Sequence, residues 1–197
     1  MKLTRKALSR GLPPAALLTG GLLAAVLLAT AACAPGHGSV GVSASATRAP
    51  ARVTLPTPVE GEAYAWSATD LQGRALGSEA LAGKVVVLDF WATWCPTCVY
   101  GLPKLEALHE AYGDDGLEIV GVSFDSEPDT LATFAEDRGL GWSHVFVGND
   151  RDAVVQATGV GAIPRYFVLD RRGVLVSADA KTHELKDLVK QLLSADA

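Results

Sequence analysis

From about residue 60 onward, hydrophobic residues fall into short blocks, each with the spacing of a strand or of a helix. The continuous aliphatic run at 85–88 is typical of a strand that is covered on both faces. Over 96–112, apolar residues recur every three or four positions, which predicts a helix with one face in the core. Pro96 suits the first helical position, and Pro103 predicts a kink.

The same patterns predict the remaining elements. An edge strand over 63–69 leads through a turn at 70–74 and a short helical turn to the central strand. Ser126 can cap a further helix, which Gly139 ends. The other predicted elements are strands at 117–124, 145–147, 166–169 and 174–177 and helices at 150–158 and 182–194, with a hairpin turn at 170–173. This alternation indicates an α/β fold with a mixed sheet between helices.

The first 33 residues have the features of an export signal. Four basic residues precede an apolar run at 15–32, and Thr30-Ala31-Ala32-Cys33 resembles a bacterial lipobox. Cys33 is therefore the expected lipidation site, and the alternative is an uncleaved anchor with a free thiol. Residues 34–59 are rich in small residues and proline and lack acidic residues, which predicts a flexible linker before a folded domain at 60–197.

Charge and cysteine content narrow the possible functions. Removing the four basic residues of 1–33 from the 17 Lys and Arg leaves 13 against 22 acidic residues, a net charge of −9. This charge argues against nucleic acid or an anionic lipid surface as a partner. With one of the three cysteines assigned to lipid, no framework of structural disulfides is possible, so the fold depends on its core.

Cys95 and Cys98 stand in a C-x-x-C motif at the predicted start of a helix. There, unpaired N–H groups and the helix dipole favour a thiolate, and the second sulfur can resolve a mixed disulfide formed by the first. No second C-x-x-C or paired histidine completes a zinc site, and the scattered histidines 37, 109, 144 and 183 are expected on the surface or in helices. A structural disulfide across two residues would constrain little. The motif predicts dithiol exchange.

Two motifs connect the chain to a known family. The run 90–98, Phe-Trp-Ala-Thr-Trp-Cys-Pro-Thr-Cys, is followed at a suitable distance by Gly-Ala-Ile-Pro at 161–164. With them, residues from about 60 to 197 resemble the extracytoplasmic, membrane-tethered thioredoxin-like proteins typified by TlpA and ResA. The resemblance implies a thioredoxin fold, a three-layer α/β/α arrangement with a central mixed sheet, here with an N-terminal β extension.

The resemblance also implies roles for individual residues. Cys95 would be the exposed nucleophile and Cys98 the buried resolving thiol. Pro164 would be cis, with its backbone against the cysteines and paired with an extended substrate segment, although the residues alone fit an ordinary strand-entry proline equally. Trp91 would join Trp94 in a rim around the site. The residues expected to contact the substrate are Trp94, Pro96, Thr97, Ile163 and Arg165.

Asp89 interrupts the aliphatic run of the predicted strand. Burying a carboxyl group there costs free energy unless the group has a function or a partner. The place of Asp89, six residues before Cys95, matches the buried aspartate of thioredoxin, and burial would raise its pKa and suit it to exchange a proton with Cys98. Pairing with a buried lysine is the structural alternative. The chain departs from the tethered relatives at Gly101, where they often carry glutamate, and at Arg165, which is expected to favour the thiolate, recruit an acidic substrate or be solvated.

These observations predict an enzyme, an extracytoplasmic thiol–disulfide oxidoreductase held at the outer face of the cytoplasmic membrane. The expected activity is reduction of protein disulfides, as in cytochrome c maturation, with a membrane electron donor. The Cys95–Cys98 disulfide would be the redox group, with no added cofactor and no metal, and a monomer is expected. The alternatives are a disulfide-forming oxidase of the same fold, a thiol peroxidase and a metal-binding module.

Overall fold

The computed structural model of the chain describes residues 53–195. The predicted signal segment with Cys33 and the larger part of the predicted linker lie outside the described residues. Within residues 53–195, no helix is both long enough and apolar enough to cross a bilayer.

A five-stranded mixed sheet forms the centre of the described part, with strand order β5-β4-β3-β6-β7. The five strands are β3 (Val85–Trp91), β4 (Leu117–Ser123), β5 (Ser143–Phe146), β6 (Arg165–Leu169) and β7 (Leu175–Ala180). Strands β3, β4 and β5 run parallel, whereas β6 is antiparallel to both β3 and β7. All seven residues of β3 are buried, as its unbroken apolar run predicts.

Within residues 53–195, four α-helices accompany the sheet: α1 (Pro96–Tyr112), α2 (Pro128–Arg138), α3 (Arg151–Thr158) and α4 (Leu185–Ala195). Helix α1 has the bounds that its sequence predicts. It buries Leu102, Leu105 and Leu108 on the predicted stripe, and the proline at its first turn supplies a preset φ. The element order and the mixed sheet confirm the predicted α/β class and thioredoxin-like fold.

The N-terminal β extension is a small antiparallel hairpin of β1 (Ser67–Thr69) and β2 (Ala75–Gly77). Strand β2 was not predicted. The turns that follow it include a hydrogen bond of 3.0 Å from the Leu81 N–H to the Gly77 carbonyl, which fits the predicted short helical turn. The backbone at Ser67 also exchanges hydrogen bonds of 2.8 and 3.0 Å with Thr54, and Leu55 is buried. Ordered contacts therefore begin before residue 60, where the sequence placed the start of the folded domain.

Three local expectations are wrong. Ser126 does not cap α2: the N-cap position is Glu127, and no side chain there bonds to the helix. Helix α4 begins at Leu185, three residues later than its pattern predicts, after a turn at 182–184. His144 is neither exposed nor helical, because it lies buried in β5 between Trp91 and Trp142.

Candidate active site

The two cysteines form a disulfide at the N-terminus of α1. Cys95 is the N-cap residue, and its Sγ accepts a hydrogen bond of 3.2 Å from the N–H of Cys98. A negative charge on this sulfur would therefore face an N–H donor and the positive end of a 17-residue helix. This environment stabilises a thiolate at Cys95 relative to a thiol.

The segment before β6 faces the disulfide. The Ile163–Pro164 peptide bond is cis, as the resemblance implies, and the Ile163 carbonyl oxygen lies 3.9 Å from Cys95 Sγ. The Thr97 hydroxyl lies 3.4 Å from the same sulfur. The chain thus brings 95–98 and 163–164 together across a separation of 68 residues between Cys95 and Ile163.

Both cysteines are buried in this disulfide form, Cys95 to 5% exposure and Cys98 to 3%. The expectation of an exposed Cys95 does not fit this state, because Thr97, Ile163 and the bond to Cys98 enclose its sulfur. Exposure at the site comes from neighbouring residues instead: Trp94 is 54% exposed, and Pro96 and Thr97 are exposed.

The predicted tryptophan rim is only half present. Trp91 is fully buried and packs against Phe134 and His144, so it belongs to the core. Trp94 remains at the surface, where the guanidinium of Arg151 lies 6.0 Å from its ring centroid. Arg151, at the start of α3, was not predicted near the site, because nothing local in the sequence connects it to residue 94.

Asp89 lies in the middle of β3 and is 2% exposed. Its Oδ1 has no hydrogen-bond partner, and no ion pair among residues 53–195 includes it, so the alternative of a buried lysine partner is wrong. Burial alone raises the pKa of Asp89 to about 8. The carboxyl group can therefore accept and release a proton near neutral pH.

Asp125 is a site residue that the sequence interpretation missed. Its buried carboxylate accepts hydrogen bonds from the Thr93 N–H at 3.2 Å, the Thr93 hydroxyl at 2.6 Å and the Ser123 hydroxyl at 2.6 Å. Thr93 lies two residues before Cys95, so Asp125 fixes the loop that carries the nucleophile. The signal was a polar pair, Ser123 and Asp125, at the end of a predicted strand, because parallel β3 and β4 end at the same edge of the sheet.

Arg165, after the cis-proline, is paired. Its Nη1 lies 3.1 Å from Asp179 Oδ1, and Asp179 also binds Lys181 at 2.6 Å. Arg165 thus has an acidic partner in this structure, which it shares with Lys181. At Gly101, the absent side chain leaves room for the hydroxyl of Tyr166 on β6.

No group of three or more His, Cys, Asp or Glu side chains within residues 53–195 is arranged to hold a metal ion. The Cys95–Cys98 disulfide is a group of the described part that can be reduced and reoxidised.

Comparison with known proteins agrees with this geometry. The family model described as Redoxin matches residues 46–192. Thiol-disulfide oxidoreductase ResA of Geobacillus thermodenitrificans is 32% identical over 126 residues, covering 64% of this chain and 71% of that protein. The protein of the same name from Bacillus anthracis is 33% identical over 116 residues, covering 58% of this chain and 65% of that protein, just under two thirds of its length.

A solved structure matches as well. The thioredoxin domain of a thiol-disulfide oxidoreductase from Bacteroides vulgatus superposes with a TM-score of 0.63 at 24% identity, covering 70% of this chain and all of that domain. At this identity the match shows the fold, which is that of thioredoxin.

Proposed function

The chain belongs to the Redoxin family as a thioredoxin-like oxidoreductase of the ResA type, and from this we propose that it reduces disulfides of proteins outside the cytoplasmic membrane. Cys95 is the nucleophile, and Cys98 is the resolving thiol. The placement of Cys95 Sγ carries the proposal: it is held by the Cys98 N–H at the start of α1 and faces the Ile163 carbonyl.

The proposed reaction proceeds in two exchanges. The Cys95 thiolate attacks one sulfur of a substrate disulfide, which forms a mixed disulfide and releases a substrate thiolate. Cys98 then loses its proton to Asp89 and attacks the Cys95 sulfur, which releases the second substrate thiolate. The substrate gains two electrons, and the protein is left as the Cys95–Cys98 disulfide. The backbone at Ile163 and Pro164, with Trp94, Pro96 and Thr97, would contact the substrate chain.

Two features support the direction of reduction. Asp89 provides a proton acceptor with a pKa near neutrality inside the core, which the resolving step of a reductase requires. Asp89 and Ile163 are also the residues that resemble thioredoxin, the reducing member of the fold. Cytochrome c maturation is a role consistent with such a reductase.

We propose that the chain is tethered as a lipoprotein. Residues 1–33 would direct export, Cys33 would carry lipid at the outer face of the membrane, and the linker from residue 34 would allow the domain to reach a membrane electron donor. Processing that globomycin blocks, together with incorporation of a palmitate label that Cys33→Ala abolishes, would support the tether. Normal processing of the Cys33→Ala variant would contradict it.

The direction is tested by the reduction potential of the Cys95–Cys98 pair, measured on a fragment that starts at residue 46, where the family match begins, by equilibration with glutathione. Thioredoxin lies at about −270 mV and the oxidant DsbA at about −120 mV. We expect a value near the former. A value near the latter would make the protein a disulfide-forming oxidase. If the wild type, like the Cys95→Ser control, exchanges no protein disulfide, the proposed function is refuted.

A further inference from the structure

Tyr166 lies directly opposite Asp89 in the antiparallel pairing of β3 and β6. Residues opposite each other in such a pair project from the same face of the sheet, so the phenol and the carboxyl group share one face. Tyr166 is 2% exposed, yet it is a polar residue on an otherwise apolar segment, Tyr166 to Leu169. A buried hydroxyl such as that of Tyr166 requires a hydrogen-bond partner.

Helix α1 makes room for this hydroxyl at Gly101. A Cβ at position 101 would lie 3.3 Å from Tyr166 Oη and 3.9 Å from Thr182 Cγ2. Glycine in a helix interior destabilises the helix relative to alanine. The missing side chain at this buried position therefore has a local use, because it lets the phenol oxygen pack against α1.

A second hydroxyl and a cavity lie between the Tyr166 hydroxyl and solvent. The Tyr166 hydroxyl lies 3.5 Å from the hydroxyl of Thr182, which donates to it and is half-buried. Both residues line a cavity of about 290 Å³ that also borders Pro164. A water molecule occupies about 30 Å³ of liquid, so the cavity has room for several waters beside Pro164.

Asp89 is the buried end of this series of polar groups. Its Oδ1 lacks a protein partner, and an unsatisfied buried carboxyl oxygen is a typical place for an ordered water. Tyr166 stands directly opposite Asp89 in the β3–β6 pair, which places the phenol and the carboxyl group side by side on one face of the sheet. Asp89, Tyr166, Thr182 and the cavity thus lie in sequence from the core to solvent.

We propose that the hydroxyls of Tyr166 and Thr182 form the path by which the proton that Asp89 takes from Cys98 leaves for the cavity. The inference rests on the proposed function. Burial raises the pKa of Asp89 to about 8 and keeps it mainly in the acid form at pH 7, so its proton must leave before the carboxylate can take the proton of Cys98. The acid gives that proton, across one water, to Tyr166 Oη. The Thr182 hydroxyl, which donates to Tyr166 in this structure, rotates to accept the Tyr166 proton and passes its own proton to cavity water. The Asp89 carboxylate then takes the Cys98 proton during the resolving attack and is the acid again, both hydroxyls end neutral, and the proton in the cavity balances the released substrate thiolate.

The charges around the path are compatible with this transfer. Burial, and secondarily the charge of Asp89, raises the pKa of Tyr166 to about 12, so its hydroxyl stays protonated and relays a proton without becoming an anion. Lys104 and His183 face the path from the cavity wall, whereas Asp179 is engaged by Arg165 and Lys181.

Tyr166→Phe tests the path because it removes the hydroxyl and keeps the ring. Single-turnover reactions of the reduced protein with a disulfide substrate are quenched with acid and alkylated, and the mixed disulfide is quantified by mass spectrometry. We expect Cys95 attack at the wild-type rate and resolution by Cys98 slowed at least about 10-fold at pH 7, where a proton-transfer group typically contributes about 10²- to 10⁴-fold. Imidazole buffer, which the cavity can admit, should restore the rate in proportion to its concentration.

The controls separate proton transfer from packing. Thr182→Val should slow resolution in the same direction with the same buffer rescue, and it leaves the buried ring untouched. Tyr64→Phe removes another buried tyrosine hydroxyl, which bonds to Pro56 O, and it should resolve at the wild-type rate. Resolution by Tyr166→Phe at the wild-type rate, or slow resolution that imidazole does not restore, would overturn the path. If wild type forms no mixed disulfide, the proposed function fails instead.

Discussion

Replacing Asp89 by asparagine should stabilise the protein, and the gain should grow with pH. Burial raises the pKa of Asp89 from 3.8 to about 8, so the folded state favours the neutral acid. Below pH 4, Asp89 is protonated in both the folded and the unfolded state, and the free energy of unfolding is not reduced by its burial. As pH rises from 4 toward 8, Asp89 ionises in the unfolded state only, and the free energy of unfolding falls by about 1.4 kcal/mol per pH unit. Asparagine does not ionise. At pH 7, the variant is therefore expected to be more stable by up to about 4 kcal/mol, relative to the difference at pH 4.

The assay is urea unfolding of both oxidised proteins at pH 5, 6, 7 and 8. Oxidised protein is used because the disulfide removes the thiols from the titration. Asp170→Asn is the matched control. Burial acts to raise the pKa of Asp170, but hydrogen bonds from the Val174 and Arg172 backbone and from the Arg172 side chain outweigh it and hold that pKa below its ordinary value. Its stability contribution is present above pH 4, so its difference from wild type should be constant over this range.

The test depends on how the difference in unfolding free energy between wild type and Asp89→Asn changes with pH, and not on its absolute size. The amide group that replaces the carboxyl group in Asp89→Asn would carry its own packing and desolvation cost, which shifts the curve by a constant amount. A difference in unfolding free energy between wild type and Asp89→Asn that stays flat from pH 5 to pH 8 would refute a buried carboxyl group with a pKa near 8.

Three further outcomes follow from the contacts. Asp125→Asn should lower the unfolding free energy by about 1–3 kcal/mol and slow Cys95 attack, because Thr93 loses a charged acceptor; unchanged urea and exchange measurements would contradict this role. Gly121→Ala should cost about 1–3 kcal/mol in urea unfolding, since its Cβ would lie 2.6 Å from His144 Nδ1 and 2.8 Å from Trp91 Nε1; wild-type stability would show that the rings move freely. Burial lowers the pKa of His144 to about 4, so its NMR signals should not shift between pH 5.5 and 8, and a midpoint near 6.5 would disprove its burial.

The sequence predicted the central elements because their signals are local. Strand β3 combines an aliphatic run with burial on both faces, and α1 combines a regular apolar stripe with a proline at its start. Strand β2 was missed because three residues carry no period, and its position depends on tertiary contacts: the Ser78 hydroxyl bonds to both the N–H and the carbonyl of Trp66.

The sequence predicted those parts of the site that belong to two short motifs. The C-x-x-C pair and the Ile163–Pro164 segment meet as expected, and Asp89 stands out as one acid in an aliphatic run. Asp125 was not found because its partner Thr93 lies 32 residues away and only the pairing of β3 with β4 brings them together.

The uneven burial of the four tryptophans has an optical consequence. Trp66, Trp91 and Trp142 are buried, whereas Trp94 is exposed and adjoins Cys95. A disulfide quenches the emission of a neighbouring indole, and an exposed indole emits at longer wavelength than buried ones. Opening the Cys95–Cys98 bond should therefore brighten the red edge of the emission spectrum and leave the blue edge nearly constant. The chain carries a built-in fluorescent indicator of its own oxidation state, readable without a label.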